Sequence, residues 1–81
     1  MSFVIYTSDN CIFCVRAKTV LRARDLEFEE RDVTDSLEEM QAHLIESIGM
    51  VPNTVPQIFD GDDYVGGYDE LLMYLLRNDI P

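Results

Sequence analysis

The sequence contains no tryptophan, one histidine, two cysteines and only six basic residues among its 81 positions. No stretch approaches the ~18 consecutive apolar residues of a membrane-spanning helix, and the first residues lack the basic and apolar regions of a secretion signal. Two cysteines three positions apart are too few and too close to cross-link a secreted scaffold. We therefore expect redox or metal chemistry in a reducing compartment, with the cytoplasm as the location.

Negative charge dominates the chain, which has 16 acidic residues, a formal net charge of −10 and a pI near 4.1. Such a field repels nucleic acid and anionic membranes, so we expect neither as a partner. The acidic residues are concentrated in three segments, Asp25–Glu30, Asp35–Glu46 and Asp60–Asp63. Solvated faces that keep the protein soluble are the favoured explanation, and a docking surface is the alternative.

Length and composition predict one globular domain over residues 1–81. A chain this short buries only ~60–65% of the surface that it exposes when unfolded, which leaves no room for a second core. Hydrophobic residues make up 47% and charged residues 27% of the sequence, close to globular norms. We expect a monomer that folds alone.

The first half of the chain alternates between strand and helix patterns. Phe3–Thr7 is a β-branched and aromatic run that leads into polar residues, as a buried strand does. Good helix formers then predict a helix from Ile12 to about Arg24, whose apolar set is Val15, Ala17, Val20 and Leu21. Glu27–Val33 is more polar and predicts a second strand.

A second helix is the clearest element of the pattern. Ser36 and Glu39 have the spacing of a capping box, and Gly49 provides a C-terminal stop. Between them, five apolar residues fall on one helical face: Leu37, Met40, Leu44, Ile45 and Ile48.

The second half predicts a hairpin followed by a last helix. Val55–Phe59 and Asp63–Val65 are short strand patterns separated by the turn-rich Asp60–Asp62. After Gly66-Gly67, helical spacing places Tyr68, Leu71, Leu72, Leu75 and Leu76 on one face. The order β-α-β-α-β-β-α predicts an α/β fold, a mixed four-stranded sheet flanked by three helices.

Cys11-Ile12-Phe13-Cys14 lies where the first strand gives way to the first helix. Unpaired N–H groups and the positive helix end favour a thiolate at the first sulfur, and Arg16 and Lys18 are candidate cationic neighbours. The spacing brings both side chains to one face, so Cys11 can attack a disulfide and Cys14 can resolve the mixed disulfide. We expect Cys14 to be the more buried of the two.

Inert buried thiols and half of a zinc site are the alternatives for this pair. A zinc site needs four ligands, and the chain offers no further cysteine and only His43. We therefore predict no metal site within one chain. His43 lies between core positions of the second helix, which favours a surface histidine over a base or ligand.

Three motifs in order resemble glutaredoxins of the thioredoxin fold: YTxxxCxxC after the first strand, TVPQIF in the second half, and VGGYDEL at the start of the last helix. The YDELLMYL helix and the short acidic chain resemble bacterial and phage members most. The resemblance spans nearly the whole chain and implies a dithiol thiol-disulfide oxidoreductase.

The resemblance also implies a glutathione-binding site. In the family, the proline that matches Pro56 is cis and lies beside the cysteines, and the backbone at Val55 pairs with the cysteinyl part of glutathione; an ordinary trans turn proline is the alternative. Gly67, Tyr68 and Asp69 match the stretch that holds the γ-glutamyl end, where a plain tight turn is the alternative. The implied set is Phe13, Thr54, Val55, Pro56, Gly67, Tyr68 and Asp69.

The chain departs from the family pattern at several positions. Ser8 replaces a lysine that contacts the glycyl carboxylate, and Pro52 falls near a charged or amide residue, so we expect weaker carboxylate binding. Tyr68 replaces a common Cys or Ser and alters the pocket shape. Ile12 and Phe13 replace a frequent Pro-Tyr; Phe13 can still stack on a ligand but has no hydroxyl.

The function implied is reduction of protein disulfides or glutathione mixed disulfides, with glutathione as co-substrate and no tightly bound cofactor. Ribonucleotide reductase is the acceptor that the resemblance suggests. Two alternatives stay open. One is a redoxin recharged by thioredoxin reductase, favoured by the missing lysine at Ser8. The other is a carrier of a [2Fe–2S] cluster held by Cys11 and glutathione between two protomers, favoured by the missing proline at Ile12.

Overall fold

The structure is a computed structural model that describes all 81 residues. Strands and helices follow the predicted order β-α-β-α-β-β-α. They are β1 (Phe3–Thr7), α1 (Ile12–Ala23), β2 (Phe28–Asp32), α2 (Val33–Ile48), β3 (Gln57–Asp60), β4 (Asp63–Gly66) and α3 (Tyr68–Arg77).

The four strands form one mixed sheet in the order β2-β1-β3-β4. β1 pairs with β2 in parallel, as the intervening helix requires, and with β3 in antiparallel orientation. The hairpin of β3 and β4 turns at Gly61 and Asp62, where Gly61 has a φ of 60°. This is the thioredoxin-like architecture that the sequence predicts.

Apolar side chains form a core on each face of the sheet. Because neighbouring strand residues point to opposite faces, Phe3 and Ile5 of β1 face one side and Tyr6 the other. The larger core lies under α1 and α3: Phe3, Ile5, Ala17, Leu21, Ile58, Val65, Leu71 and Leu75. The smaller core lies under α2: Tyr6, Met40, Leu44 and Phe59. The molecule therefore has three layers.

The start of α2 differs from the prediction. Asp32, not Ser36, is the N-cap, and its Oδ1 accepts a hydrogen bond of 2.7 Å from the Thr34 N–H. Ser36 has non-helical dihedral angles of φ −122° and ψ 23°. The Glu39 carboxylate accepts from the Tyr6 hydroxyl and from Arg31, so it does not reach back to the Ser36 backbone. The capping-box prediction is therefore wrong, whereas the predicted stop at Gly49 is confirmed by its φ of 72°.

Only part of each predicted apolar face is buried. In α2, Met40 and Leu44 are buried, whereas the other three residues of the predicted face are exposed: Leu37, Ile45 and Ile48. Val15 in α1 and Leu76 in α3 are exposed as well. Each helix has one neighbouring layer, so only a narrow stripe of its surface is covered.

Two strand boundaries also shift. β3 begins at Gln57 rather than Val55, because Pro56 has no N–H group to donate to a strand ladder. β2 is shorter by one residue at each end than Glu27–Val33. None of the three helices has the length and apolar character of a membrane span.

Candidate functional site

The two cysteines meet at the amino-terminal end of α1, where they form a disulfide. Cys14 lies in the first turn and is 1% exposed, whereas Cys11 is partly exposed at the edge of the preceding loop. This matches the predicted difference in burial. An attacking thiol from outside therefore reaches the sulfur of Cys11 first.

Cys11 is the N-cap of α1, with extended backbone angles of φ −106° and ψ 102°. Its Sγ accepts a hydrogen bond of 3.1 Å from the Cys14 N–H, and its carbonyl accepts one of 3.1 Å from the Val15 N–H. No acidic residue lies in the first turn of the helix. N–H donors and the helix dipole thus favour negative charge on this sulfur once the disulfide opens.

The segment before β3 lies against Cys11. The peptide bond between Val55 and Pro56 is cis, as the resemblance implies. The Cys11 Sγ lies 3.6 Å from the Val55 carbonyl oxygen. The backbone of Val55 is therefore close enough to border any molecule attached to that sulfur.

A groove of about 260 Å³ runs from this segment to the start of α3. It is lined by Phe13, Thr54, Val55, Pro56, Gly67, Tyr68, Asp69 and Glu70. All seven residues that the resemblance implies for glutathione binding are thus brought together, with Glu70 added. The rings of Phe13 and Tyr68 lie with their centroids 5.9 Å apart.

The start of α3 closes the end of the groove. Gly66 has a φ of 120°, and a Cβ there would lie 2.8 Å from the Glu70 side chain, so only glycine fits. The Gly67 N–H donates a hydrogen bond of 2.9 Å to the Glu70 Oε1. The N–H groups of Tyr68 and Asp69 have no partner within the helix and are free to bind an anion.

Two of the five positions that depart from the family pattern line a second, smaller cavity. Ser8 and Pro52 lie together in a space of about 210 Å³ that Thr54 and Val55 also line. The remaining lining residues are Val33, Met40 and Asn53. No basic side chain lines this cavity.

A third cavity, of about 540 Å³, borders both cysteines and shares no lining residue with the groove. Lys18 and Glu30 line this cavity and form an ion pair, with 2.8 Å between the ammonium nitrogen and a carboxylate oxygen. The same Glu30 oxygen accepts a hydrogen bond of 2.8 Å from the Thr7 hydroxyl. The hydrogen bond from Lys18 has the largest effect on the pKa of Glu30, and it lowers this pKa from its ordinary value.

The sequence pattern placed Lys18 and Arg16 near Cys11 but missed Glu30. Glu30 comes from a strand 12 residues beyond Lys18, and only its position in the sheet brings it to the cysteines. Arg16 does not line this cavity, because its guanidinium lies 5.2 Å from the centre of the Phe13 ring.

His43 is not the surface residue that the sequence predicted. It is half-buried, and its ring stacks on Phe59 with centroids 3.5 Å apart. The reason is that α2 lies across the sheet with His43 beside the buried Met40 and Leu44. The Tyr6 hydroxyl lies 3.3 Å from its Nδ1. No group of three or more His, Cys, Asp and Glu side chains is arranged to hold a metal ion.

Comparisons with known proteins agree with this geometry. The glutaredoxin family model matches residues 3–65. A glutaredoxin of Pseudomonas aeruginosa is 41% identical over 68 residues, which cover 84% of this chain and 77% of that protein. Glutaredoxin 3 of Escherichia coli is 36% identical over 67 residues, with coverages of 83% and 77%. The crystal structure of glutaredoxin 1 from Francisella tularensis gives a TM-score of 0.77 at 27% identity, covering 95% of this chain and 94% of that one. The chain therefore belongs to the glutaredoxin family of thiol oxidoreductases.

Proposed function

We propose that this glutaredoxin reduces protein disulfides and glutathione mixed disulfides through Cys11 and Cys14, and that glutathione restores the dithiol. The single observation behind the proposal is the position of the Cys11 sulfur. It caps a helix, is partly exposed, and lies 3.6 Å from the carbonyl oxygen of Val55. Val55 and the other six implied glutathione-binding residues line one groove.

The reaction begins with the reduced pair. The Cys11 thiolate, favoured by the Cys14 N–H and the helix dipole, attacks one sulfur of the substrate disulfide. A bond forms between the two sulfurs, the substrate bond breaks, and its electron pair leaves with the second substrate sulfur, which takes up a proton. Cys14 then loses its proton and attacks the Cys11 sulfur. The internal disulfide forms, and the first substrate sulfur, which was bonded to Cys11, leaves as a thiolate.

Glutathione completes the cycle in two steps. A first glutathione thiolate attacks Cys11, and Cys14 leaves as the thiolate; a second glutathione attacks the mixed disulfide and departs as glutathione disulfide. In the groove, the Val55 backbone pairs with the cysteinyl part. The free N–H groups of Tyr68 and Asp69 bind the γ-glutamyl carboxylate, and the Asp69 carboxylate binds its amino group. Thr54 and Pro56 shape the wall, and the Phe13 ring packs on the ligand.

Turnover of a glutathionylated peptide, with glutathione as the reductant, tests the assignment. We expect Cys11→Ser to lower the rate at least about a hundredfold, because the attacking nucleophile is lost. Cys14→Ser should keep activity on the glutathionylated peptide, since glutathione can resolve the mixed disulfide, but should lose activity on an internal protein disulfide. Equal rates for wild type and Cys11→Ser would show the assignment to be wrong.

The same assay tests the groove. Asp69→Asn should raise the KM for glutathione about tenfold, because the charged hydrogen bond to its amino group is lost. Asp62→Asn, at the exposed hairpin turn, removes the same charge outside the groove and serves as the control. Equal KM values for the two variants would place glutathione elsewhere. Ribonucleotide reductase as acceptor and the cytoplasm as location stay predictions of the sequence.

A further inference from the structure

Cys14 borders the cavity of about 540 Å³, which Lys18 and Glu30 also line. The mechanism proposed above assigns no role to these two charged residues. Cys14 is 1% exposed, and the helix N-cap interaction serves Cys11 rather than Cys14. When the internal disulfide is reduced, Cys14 leaves as a thiolate. A buried thiolate is costly unless a cation or a hydrogen-bond donor lies near it.

Lys18 is the cation that the fold provides there. It lies one helical turn after Cys14, and long side chains in a helix lean toward the N-terminus, so its stem passes over the turn that holds Cys14. Its ammonium group is held by Glu30 at 2.8 Å, and the Thr7 hydroxyl holds the same oxygen. The Lys18 side chain is only 19% exposed. It is therefore fixed at the wall of the cavity that Cys14 borders.

We propose that Lys18, positioned by Glu30, is the electrostatic partner of Cys14 and stabilises the charge that this sulfur acquires when the disulfide opens. This inference rests on the proposed function. In the step concerned, a glutathione thiolate forms a bond to the Cys11 sulfur and the bond between the two cysteines breaks. Its electron pair stays on Cys14, which then takes a proton from water in the cavity.

Three carboxylates that line the cavity act against this effect. Glu30 forms an ion pair with Lys18, so each of the two charges weakens the effect of the other at Cys14. Asp9 is exposed, and Asp32 is half-exposed with one oxygen bonded to the Thr34 N–H, so water screens both. Lys18 is the only cation among the lining residues, and its side chain is more buried than that of Glu30, at 19% against 38% exposure. We therefore expect its effect on Cys14 to dominate.

The direct test is the pKa of Cys14 in a Cys11→Ser background, measured by thiolate absorbance or by alkylation rate against pH. Lys18→Met should raise this pKa by about one unit, because the only positive charge among the residues that line the cavity is lost. Lys18→Arg should keep it close to that of the parent, since the charge remains. Glu30→Gln should lower it, because the cation stays and its counter-charge is removed.

Arg16→Met is the matched control, because it removes one positive charge from the same helix outside the cavity. Equal Cys14 pKa values in the Lys18→Met and Arg16→Met variants would overturn the proposal. So would an increase in both Lys18→Met and Glu30→Gln, which is the result expected of a structural disturbance. If Lys18→Met does not fold, Lys18→Gln replaces it in the same comparison.

A second readout uses the intact dithiol protein. Lys18→Met should slow the reduction of the internal disulfide by glutathione about threefold, because Cys14 becomes a poorer leaving group. Arg16→Met should leave this rate nearly unchanged. The titration of Cys14 involves no glutathione, so its failure would refute the role of Lys18 while leaving glutathione dependence intact. An unchanged rate in Lys18→Met would count against the proposal.

Discussion

Tyr6 connects the central strand to α2 through its hydroxyl group. Its ring is fully buried between the layers, and its hydroxyl donates a hydrogen bond of 2.8 Å to the Glu39 carboxylate. Burial and, to a smaller extent, the hydrogen bond to Glu39 raise the pKa of Tyr6 to about 12. The hydrogen bond to Asp60 and, to a smaller extent, burial raise the pKa of Tyr74 to about 12 as well.

These two tyrosines predict a loss of stability at alkaline pH. The unfolded chain releases the tyrosine proton near pH 10, whereas the folded protein keeps it to about pH 12. The stabilisation is therefore complete below pH 10 and is lost between pH 10 and 12. Urea unfolding between pH 8 and 12 measures it. The stability of Tyr6→Phe should fall less steeply than that of wild type in this range, because Tyr6 no longer contributes, and identical slopes would contradict the prediction.

The sequence predicted the cysteine pair and Lys18 as a cationic neighbour, but it did not predict Glu30, which forms an ion pair with Lys18. Cys11 and Cys14 are adjacent on one helix turn, so spacing alone predicts their contact. The pair of Lys18 and Glu30 depends on the parallel register in which Ile5 lies opposite Glu30, which places that carboxylate at the cysteine end of the sheet. Contacts between distant segments of this kind depend on register, which local patterns do not determine.

The amino-terminal end of α2 gives a prediction at the scale of an element. Asp32 caps the helix and Ser36 does not, although the sequence spacing favoured Ser36. Asp32→Ala should therefore lower the free energy of unfolding at pH 7 clearly more than Ser36→Ala does, because only Asp32 satisfies a free N–H group. Urea unfolding of both variants measures the difference.

The effect of Asp32 should also depend on pH. The hydrogen bond from Thr34 lowers the pKa of Asp32 in the folded protein. Its stabilisation is thus present above the ordinary aspartate pKa of about 3.9 and is lost as the pH falls through the lower, folded value. The gap between wild type and Asp32→Ala should close in this acidic range. A larger loss for Ser36→Ala than for Asp32→Ala at pH 7 would contradict the assignment of the cap.

Helical periodicity predicted that each helix exists but overestimated how much of it is buried. In α2 the apolar positions cover a broad face, yet the sheet contacts only the stripe with Met40 and Leu44. His43 shows the converse, because a polar residue between core positions stacks on Phe59. The width of the covered stripe is set by how the layers pack, and a single helix sequence contains no information about its neighbours.

At the scale of the whole molecule, the order of elements predicted a mixed four-stranded sheet flanked by three helices, and the family resemblance implied its thioredoxin-like form. A β-α-β unit must place β1 and β2 in parallel, and a two-residue turn must pair β3 with β4 in antiparallel orientation. The pairing of β1 with β3 joins the two halves into one sheet. This joining also brings the groove residues before β3 and at the start of α3 to the cysteines, so the site follows from the topology.

The net charge of −10 should slow the reaction with anionic thiols. At the moment of attack, the glutathione thiolate has a net charge of about −2, that of mercaptoethanol about −1, and that of cysteamine about 0. Raising the salt concentration from 10 mM to 200 mM shortens the Debye length from about 30 Å to less than 10 Å and screens the repulsion. Reduction of the Cys11–Cys14 disulfide should therefore accelerate about threefold with glutathione, less with mercaptoethanol and hardly at all with cysteamine, once each rate is corrected for its thiolate fraction. An equal salt effect on all three rates would show that the molecular charge does not act at the Cys11 sulfur.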